Sequence, residues 1–301
     1  MNTDKPQKMA KKTDKPQILL INDMVGHSKV GMGAMVPIFS YMGFPTFSLP
    51  TAIISNTFDY GQFSVLDTTD YIRQTLPVWK SLGFSADAIC TGCMLSEEQA
   101  QLVASYCREE SARGTRVFVD PILGDGGRLY NGMTQQQVNA MRAMVSVADL
   151  IFPNYTEAAL LTGHDFKQDG LTWSEAQSML NELRAIGCQS ALITSCPIDG
   201  KSSVAGYDHQ ADTFFLHRYD EIPGIFHGTG DLFSAILIVH LLSGETLEVS
   251  TRRAMDTVYR LIYLNRDLDD RCQGILVEQF LSEVKMRNEE PKVGALFTSE
   301  T

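Results

Sequence analysis

A chain of 301 residues, 44% hydrophobic and 20% charged, has the bulk for one large α/β domain or two smaller ones. Its formal charge of -11, with no basic stripe, excludes broad contact with nucleic acid or an acidic membrane, although magnesium and backbone amides can still hold a phosphate locally. Six scattered cysteines suit reduced thiols in a cytoplasmic protein, and no apolar run reaches the length of a membrane span.

The first 16 residues are lysine-rich and read as a disordered lead-in, followed by one folded domain over 17–286 and a flexible tail over 287–301. Ile18 to Ile21 is a short apolar strand of the buried parallel kind, entering Asn22-Asp23 and a loop with Gly26, His27, Gly31 and Gly33. Ala34 to Met42 reads as a helix with Pro37 in its first turn, ended by Gly43. Thr46 to Leu49 is the next strand, and Thr51 to Phe63 reads as a loop or edge flap over a pocket. Tyr71 to Leu82 is helical, and Ala88 to Thr91 is a strand ending at Gly92. The pair Cys90 and Cys93 has redox spacing but closes a strand instead of opening a helix, so it reads as two ordinary thiols.

Ser96 with Gln99 carries a capping signature for a helix reaching about Arg113, and Arg116 to Val119 is a strand ending in Asp120. After the loop Gly124 to Gly127, Thr134 with Gln137 caps another helix, and Leu150 to Phe152 leads into Pro153-Asn154. Thr172 with Glu175 caps a helix to Ile186, and Ala191 to Thr194 enters Ser195. Ser203 to Tyr207 and Thr213 to His217 form an antiparallel pair. Helices follow from Asp231 to Leu242, over Leu247 to Leu264 and over Ile275 to Lys285. This alternation is the βαβ pattern of a parallel sheet covered on both faces.

Ligands of such sheets bind at the carboxyl ends of the strands. The polar residues there form the candidate set: Asn22 and Asp23, Gly92, Asp120, Asn154 with Glu157, Ser195, and Gly228-Thr229-Gly230-Asp231. The glycine turn allows close backbone approach, and the amides of the helix it opens can bind oxygen anions. Asp231 beside that anion site can orient or deprotonate a hydroxyl attacking phosphorus. The same stretch also reads as a glycine turn with Asp231 as an ordinary cap. The spacing is not that of a Walker A loop, and no lysine follows. Glu157, with Asn154 or Asp120, suits magnesium bridging phosphate oxygens, or alternatively a first-turn acid complementing a helix dipole. His27 reads either as a substrate contact or as a surface histidine.

Five segments taken together, Ile21-Asn22-Asp23 up to Gly31, Ser55-Asn56-Thr57 with Tyr60-Gly61, Val119 to Asp125, Pro153 to Glu157, and Gly228 to Asp231, resemble the ribokinase superfamily, and within it the pyridoxal/pyridoxamine kinase branch. The resemblance covers roughly Ile18 to Tyr263 and implies a ribokinase-like three-layer α/β/α sandwich with a mostly parallel central sheet. It implies ATP-dependent phosphorylation of the hydroxymethyl group of a vitamin B6 vitamer, with Asp231 as base and Gly228, Thr229 and Gly230 as anion hole. Asp120, Asn154 and Glu157 would organise magnesium around ATP, Asp120 and Glu157 as the metal carboxylates, while Thr194 and Ser195 face the nucleotide phosphates. Asp23, His27, Thr46, Ser55 and Tyr60 would line the substrate pocket, whose flap forms part of a homodimer contact. Potassium activation is left open by the resemblance.

Asp23 stands where the branch commonly has serine, which favours an aminomethyl substituent or bonds the ring hydroxyl. Hydroxymethylpyrimidine kinase shares the fold and reaction and is the nearest rival. A sugar kinase would place a longer β insert over its substrate. A catalytically silent vitamin-binding protein would keep the pocket without phosphate transfer.

Overall fold

The computed structural model describes residues 14–284. Ile18–Val25 (β1) is buried at every position except Met24, which places it inside a sheet covered on both faces. It pairs in parallel with Thr46–Ile54 (β2) on one side and Ala88–Thr91 (β4) on the other. Arg116–Val119 (β5), Leu150–Ile151 (β8) and Ser190–Ile198 (β9) continue the sheet in parallel. Val65–Asp67 (β3), Lys201–Asp208 (β10) and Thr213–Arg218 (β11) add antiparallel edges. The order is β11-β10-β9-β8-β5-β4-β1-β2-β3, with Gly124–Asp125 (β6) and Arg128–Leu129 (β7) as a separate hairpin.

One face carries Thr69–Leu82 (α2), Glu97–Ser111 (α3), Gln135–Val145 (α4), Tyr155–Thr162 (α5) and Trp173–Ile186 (α6), whose apolar residues share a core with the sheet. The other carries Met32–Tyr41 (α1), Thr229–Leu242 (α7) and Leu247–Asn265 (α8). This is the expected three-layer α/β/α sandwich. Helix α7 is buried from Leu232 through Leu241 because it lies between the sheet and its neighbours α1 and α8, so no face of it meets water. Among the described residues no helix is long and apolar enough to cross a membrane.

Several boundaries differ from the sequence expectation, and β1 itself runs on through Asn22 and Asp23 to Val25. The segment Thr51 to Ile54 is strand, not flap, because Ala52 and Ile54 bury against Val25 while β3 pairs with them from outside. Strand β9 runs on past Thr194 to Ile198, held by antiparallel pairing with β10. Pro37 lies inside α1 beyond its first turn; the lost backbone bond is offset by burial of Met35, Ile38 and Phe39 around it. Among the described residues beyond Gly274, the expected helix is replaced by two short 3₁₀ turns, Val277–Gln279 and Leu281–Glu283. Ile275 and Val277 are both buried yet two apart, a spacing that does not fall on one helix face. Of the expected lead-in, residues 14–16 are described, with the Lys15 ammonium 4.7 Å over the Phe44 ring. Residues 1–13 and 285–301, including Lys285 and the tail, lie outside the described residues.

Candidate active site

The chain leaves β1 for β2 on one side and later returns to β4 on the other, so the carboxyl ends of β1 and β4 flank the switch in strand order where open α/β sheets bind ligands. Asn22 staples this point. Its Oδ1 accepts the Asp23 and Cys93 backbone N–H groups, each at 2.9 Å, and its Nδ2 points toward Asp231 Oδ1 at 3.5 Å. Gly92 is required here: a Cβ would lie 2.2 Å from Asn22 Oδ1.

Helix α7 begins at Gly228, which adopts φ 80°, and no side chain caps it. Its first amides therefore remain available to an anion. A Cβ on Gly228 would sit 2.1 Å from the Lys29 carbonyl, whereas one on Gly230 would meet open space. The conformational demand falls on the first glycine alone. Asp231 is the third residue of α7 rather than its cap, so the capping alternative is not what the structure shows. Its Oδ2 accepts the Gly31 N–H at 2.9 Å. Burial pushes its carboxyl up to about 6, with the Gly31 and Asn22 hydrogen bonds opposing the shift. That leaves it ionised above neutrality while keeping it close to the operating range of a general base.

Asp120, at the end of β5, accepts the Ser234 hydroxyl at 2.8 Å, and the same hydroxyl lies 2.8 Å from the Gly230 carbonyl. Burial, then the charge of Asp231, raise its carboxyl to about 7. Glu157 is fully enclosed; its two oxygens receive the Leu123 and Asn154 amides at 3.0 and 2.9 Å, and Asn154 returns the favour to the Glu157 amide at 3.0 Å. This capping box ties α5 to the loop after β5. Burial and Asp120 push the Glu157 carboxyl well above the usual range. The structure shows the capping role of Glu157, and its carboxyl is close enough to Asp120 for the two charges to act on each other. Among the described residues no three histidine, cysteine or acidic side chains form a preformed metal cage. Magnesium needs only one or two carboxylates when phosphates and water complete its shell, so Asp120 with Glu157 behind it fits that ion.

Thr194 forms a bridge with Asn154, and Ser195 stands exposed at the same rim in the left-handed region at φ 52°, its hydroxyl bonded to Tyr219. The structure therefore brings Asp23, Asp120, Asn154, Glu157, Thr194, Ser195 and the α7 turn to one rim of the sheet. His27 packs against the Tyr60 ring at 5.8 Å, and the Tyr60 hydroxyl bonds Asp270 at 2.5 Å. Ser55 is at the rim too, with its hydroxyl spent on Asn56 and the Ser64 amide within the flap. Thr46 is a correction. It opposes Ile18 at the start of β2, the far end of the sheet, and its hydroxyl bonds the Phe44 carbonyl. A strand run of several residues separates it from the rim, so it does not line the pocket. Cys90 and Cys93 are free, buried thiols held well above their usual range by burial, as expected of inert cysteines.

Sequence reasoning missed Ser234 and Tyr219. Ser234 is a polar residue inside an otherwise apolar helix, one turn after Asp231, and that contrast was the available signal. Asp270 and Cys272 were missed as well; the Cys272 carbonyl accepts from Ser28 and Thr57, tying the flap to the end of the chain. A cavity of about 620 Å³ at the opposite pole is lined by Lys80, Glu110, Arg113 and Arg116, far from this carboxylate rim. Its Lys80 and Arg113 are already paired with Glu109 and Glu110, so we place the chemistry at the rim.

The carboxyl cluster has a consequence for stability. Asp120 holds its proton more tightly folded than unfolded, so the native state binds more protons between its ordinary value of 3.8 and about 7. Stability from this source is full below pH 4 and is lost as pH rises toward 7. Asp120→Asn, neutral throughout, should melt above wild type at pH 8 without magnesium, and this advantage should shrink as pH falls below 7 and vanish below about pH 4. Paired thermal melts across that range check it; an advantage that grows toward acid would contradict the electrostatics.

The model of the phosphomethylpyrimidine kinase family matches residues 30–274. A Bacteroides thetaiotaomicron structure, provisionally assigned as a phosphomethylpyrimidine kinase, is 32% identical with a TM-score of 0.87, covering 93% of this chain and 98% of that one. A second crystal form under the same description, with pyridoxal, gives 33% identity and a TM-score of 0.85, covering 90% and 96%. A pyridoxine/pyridoxal/pyridoxamine kinase from Bordetella avium is 30% identical over 240 residues, 77% of this chain and 79% of its own. A family match over residues 30–274, set on a sandwich with an uncapped α7 and a carboxylate rim, shows that the chain belongs to the phosphomethylpyrimidine kinase family, within the ribokinase superfamily of small-molecule kinases.

Proposed function

We propose that Asp231 takes the proton of a ring hydroxymethyl group as that oxygen attacks the terminal phosphorus of ATP. The observation that carries this reading is the position of Asp231: third residue of an uncapped helix, half-buried at the sheet rim and held by the Gly31 amide. The α7 amides meet the charge spreading on the transferring group, which is where such fixed donors act. Asp120, backed by Glu157, would hold magnesium, which neutralises phosphate charge when bound. Ser234 keeps the Asp120 carboxylate at the α7 terminus, and Thr194 and Ser195 offer hydroxyls on the nucleotide side.

The substrate is a small heterocycle bearing a hydroxymethyl group. A pyrimidine ring is better supported, by the family description and by the assignment of the Bacteroides structures. The pyridine ring of a B6 vitamer, the expectation from sequence, is the second reading. It is favoured by the pyridoxal in one of those structures and by the name of the Bordetella relative. ADP release with ATP and magnesium over hydroxymethylpyrimidine, pyridoxal, pyridoxamine and pyridoxine separates the two. Binding of a ring without ADP release would select the silent relative instead.

A further inference from the structure

We propose that the cavity at the amino pole of the sheet binds a flat ring carrying a single carboxylate, at a site separate from the carboxylate rim. Nothing in this site depends on phosphate transfer at the rim. The cavity, of about 620 Å³, lies where the amino end of β5 meets the ends of α2, α3 and α7. That volume falls within the range of small-molecule sites. A Cβ added to Gly83, Gly114 or Gly244, which line it at those three helix ends, would meet nothing within 4 Å. The helices thus stop short of one another and leave the space unfilled.

What the cavity accepts follows from which of its polar groups are already engaged. Lys80 pairs with Glu109 at 2.9 Å, Arg113 pairs with Glu110, and the Thr115 hydroxyl donates to the Ala86 carbonyl at 2.8 Å. Asp87 accepts the Gln17 backbone N–H at 2.8 Å. Arg116 differs from these. Its guanidinium lies 4.9 Å over the Phe118 ring, and among the described residues it has neither a hydrogen bond nor an ion pair. Asp149, the acid that acts on it, has its oxygens on the Val117 N–H at 2.6 Å and the Gln189 side chain at 3.0 Å. Burial pulls the Arg116 guanidinium below its usual range. The Tyr106 hydroxyl is likewise without a partner among the described residues, and burial, then Glu110, push it up to about 12. Two half-buried donors therefore line one opening, both unspent.

Charge decides the class of ligand. Three helix carboxyl ends bring about half a negative charge each, felt within their last turns, and the charge of Glu110 is offset by Arg113. Arg116 is the unpaired cation set against them. A carboxylate takes two guanidinium N–H groups in a forked bond and adds one charge, which Arg116 meets. A phosphate monoester carries nearly two at neutral pH, and the second finds only helix ends. A cationic ligand is repelled by Arg116 itself. The ring follows from the walls: Phe84 is 50% exposed, and Leu241 and Leu242 supply an apolar side. An aromatic plane there covers apolar surface that the fold leaves wet. The other duty open to Arg116 is to answer the end of α7, yet it bonds none of the last α7 carbonyls.

The test follows binding to the full chain at pH 8 by ligand-observed NMR, with benzoate, phenyl phosphate and benzylamine as probes. Benzoate should bind with a Kd on the order of millimolar, as suits so small a ligand, and several-fold tighter than the other two. Saturating ATP with magnesium should leave that Kd unchanged. Arg116→Gln and Tyr106→Phe should each weaken benzoate roughly tenfold, the worth of a hydrogen bond to a charged group. Tyr106→Phe keeps the ring and its packing, so it decides the matter alone where Arg116→Gln fails to fold. Absence of benzoate binding, tighter binding of phenyl phosphate or benzylamine, or displacement of benzoate by ATP overturns the proposal. So does benzoate affinity untouched by the variants: a lowered melting temperature for Arg116→Gln with binding intact would leave that residue serving the end of α7. No arm requires turnover, so failure of the kinase reading and failure of this site are separate results.

Discussion

Asp231→Asn is expected to lower kcat by roughly 10²–10⁴, the usual size of acid–base assistance, with KM for the ring substrate little changed. Asparagine keeps an oxygen for the Gly31 amide and removes a half-buried negative charge that acts on both Asp23 and Asp120. The variant should therefore melt no lower than wild type in the absence of ligand. This pairing of lost turnover with retained stability separates a base from a cap. Asparagine caps a helix as well as aspartate does, so a capping role would leave kcat within a few-fold. Steady-state kinetics and thermal melts on one preparation decide between them; near-normal kcat would remove Asp231 from the chemistry.

Gly228→Ala should be nearly as damaging by a different route. The position holds φ 80°, a conformation that costs an L-residue about 1–2 kcal/mol. The added methyl would also lie 2.1 Å from the Lys29 carbonyl, which is backbone and cannot swing aside. Either the turn or the Lys29 loop must shift, and both carry the amides that face the transferring group and Asp231. Loss of one such donor costs about 10²–10³ in kcat. Gly230→Ala is the matched control for stability, since its Cβ enters open space. A drop in melting temperature and kcat for Gly228→Ala, against an unchanged melting temperature for Gly230→Ala, is the expected pattern.

The parts of the molecule legible in sequence were those decided locally. Ser96, Thr134, Asn154 and Thr172 each accept a bond from the start of the helix they precede, because a hydroxyl or amide two or three residues from an orphan N–H needs no distant help. Strands β4 and β5 carry unbroken apolar centres, Ala88 to Cys90 and Val117 to Val119, and their bounds are legible to the final residue. The elements misread were those settled by partners far along the chain. The extension of β2 depends on β3, that of β9 on β10, and the broken end near Ile275 on packing against α1 and α8. The site divides in the same way. Asp231 and its glycines announce themselves in four residues, whereas Ser234 acquires its meaning from a carboxylate 114 positions earlier. Thr46 was misplaced because a strand direction, not a residue type, decides which end of the sheet it occupies.

The clasp between the early loops and the chain's last described turns bears on the order in which activity arises. Ser28 and Thr57 reach Cys272, Tyr60 reaches Asp270, the Lys29 amide bonds the Gln273 carbonyl, and Lys29 pairs with Glu278, all across sequence separations above two hundred residues. Loop closures of that span are late events in folding. A ribosome that has released only the first two hundred residues has exposed β1 through β8 but neither Asp231 nor the amides that open α7. On the proposed reading, phosphate transfer waits for the clasp at Asp270 to Glu278, and a chain clipped before it would hold most of the sheet while lacking the partners of the early loops.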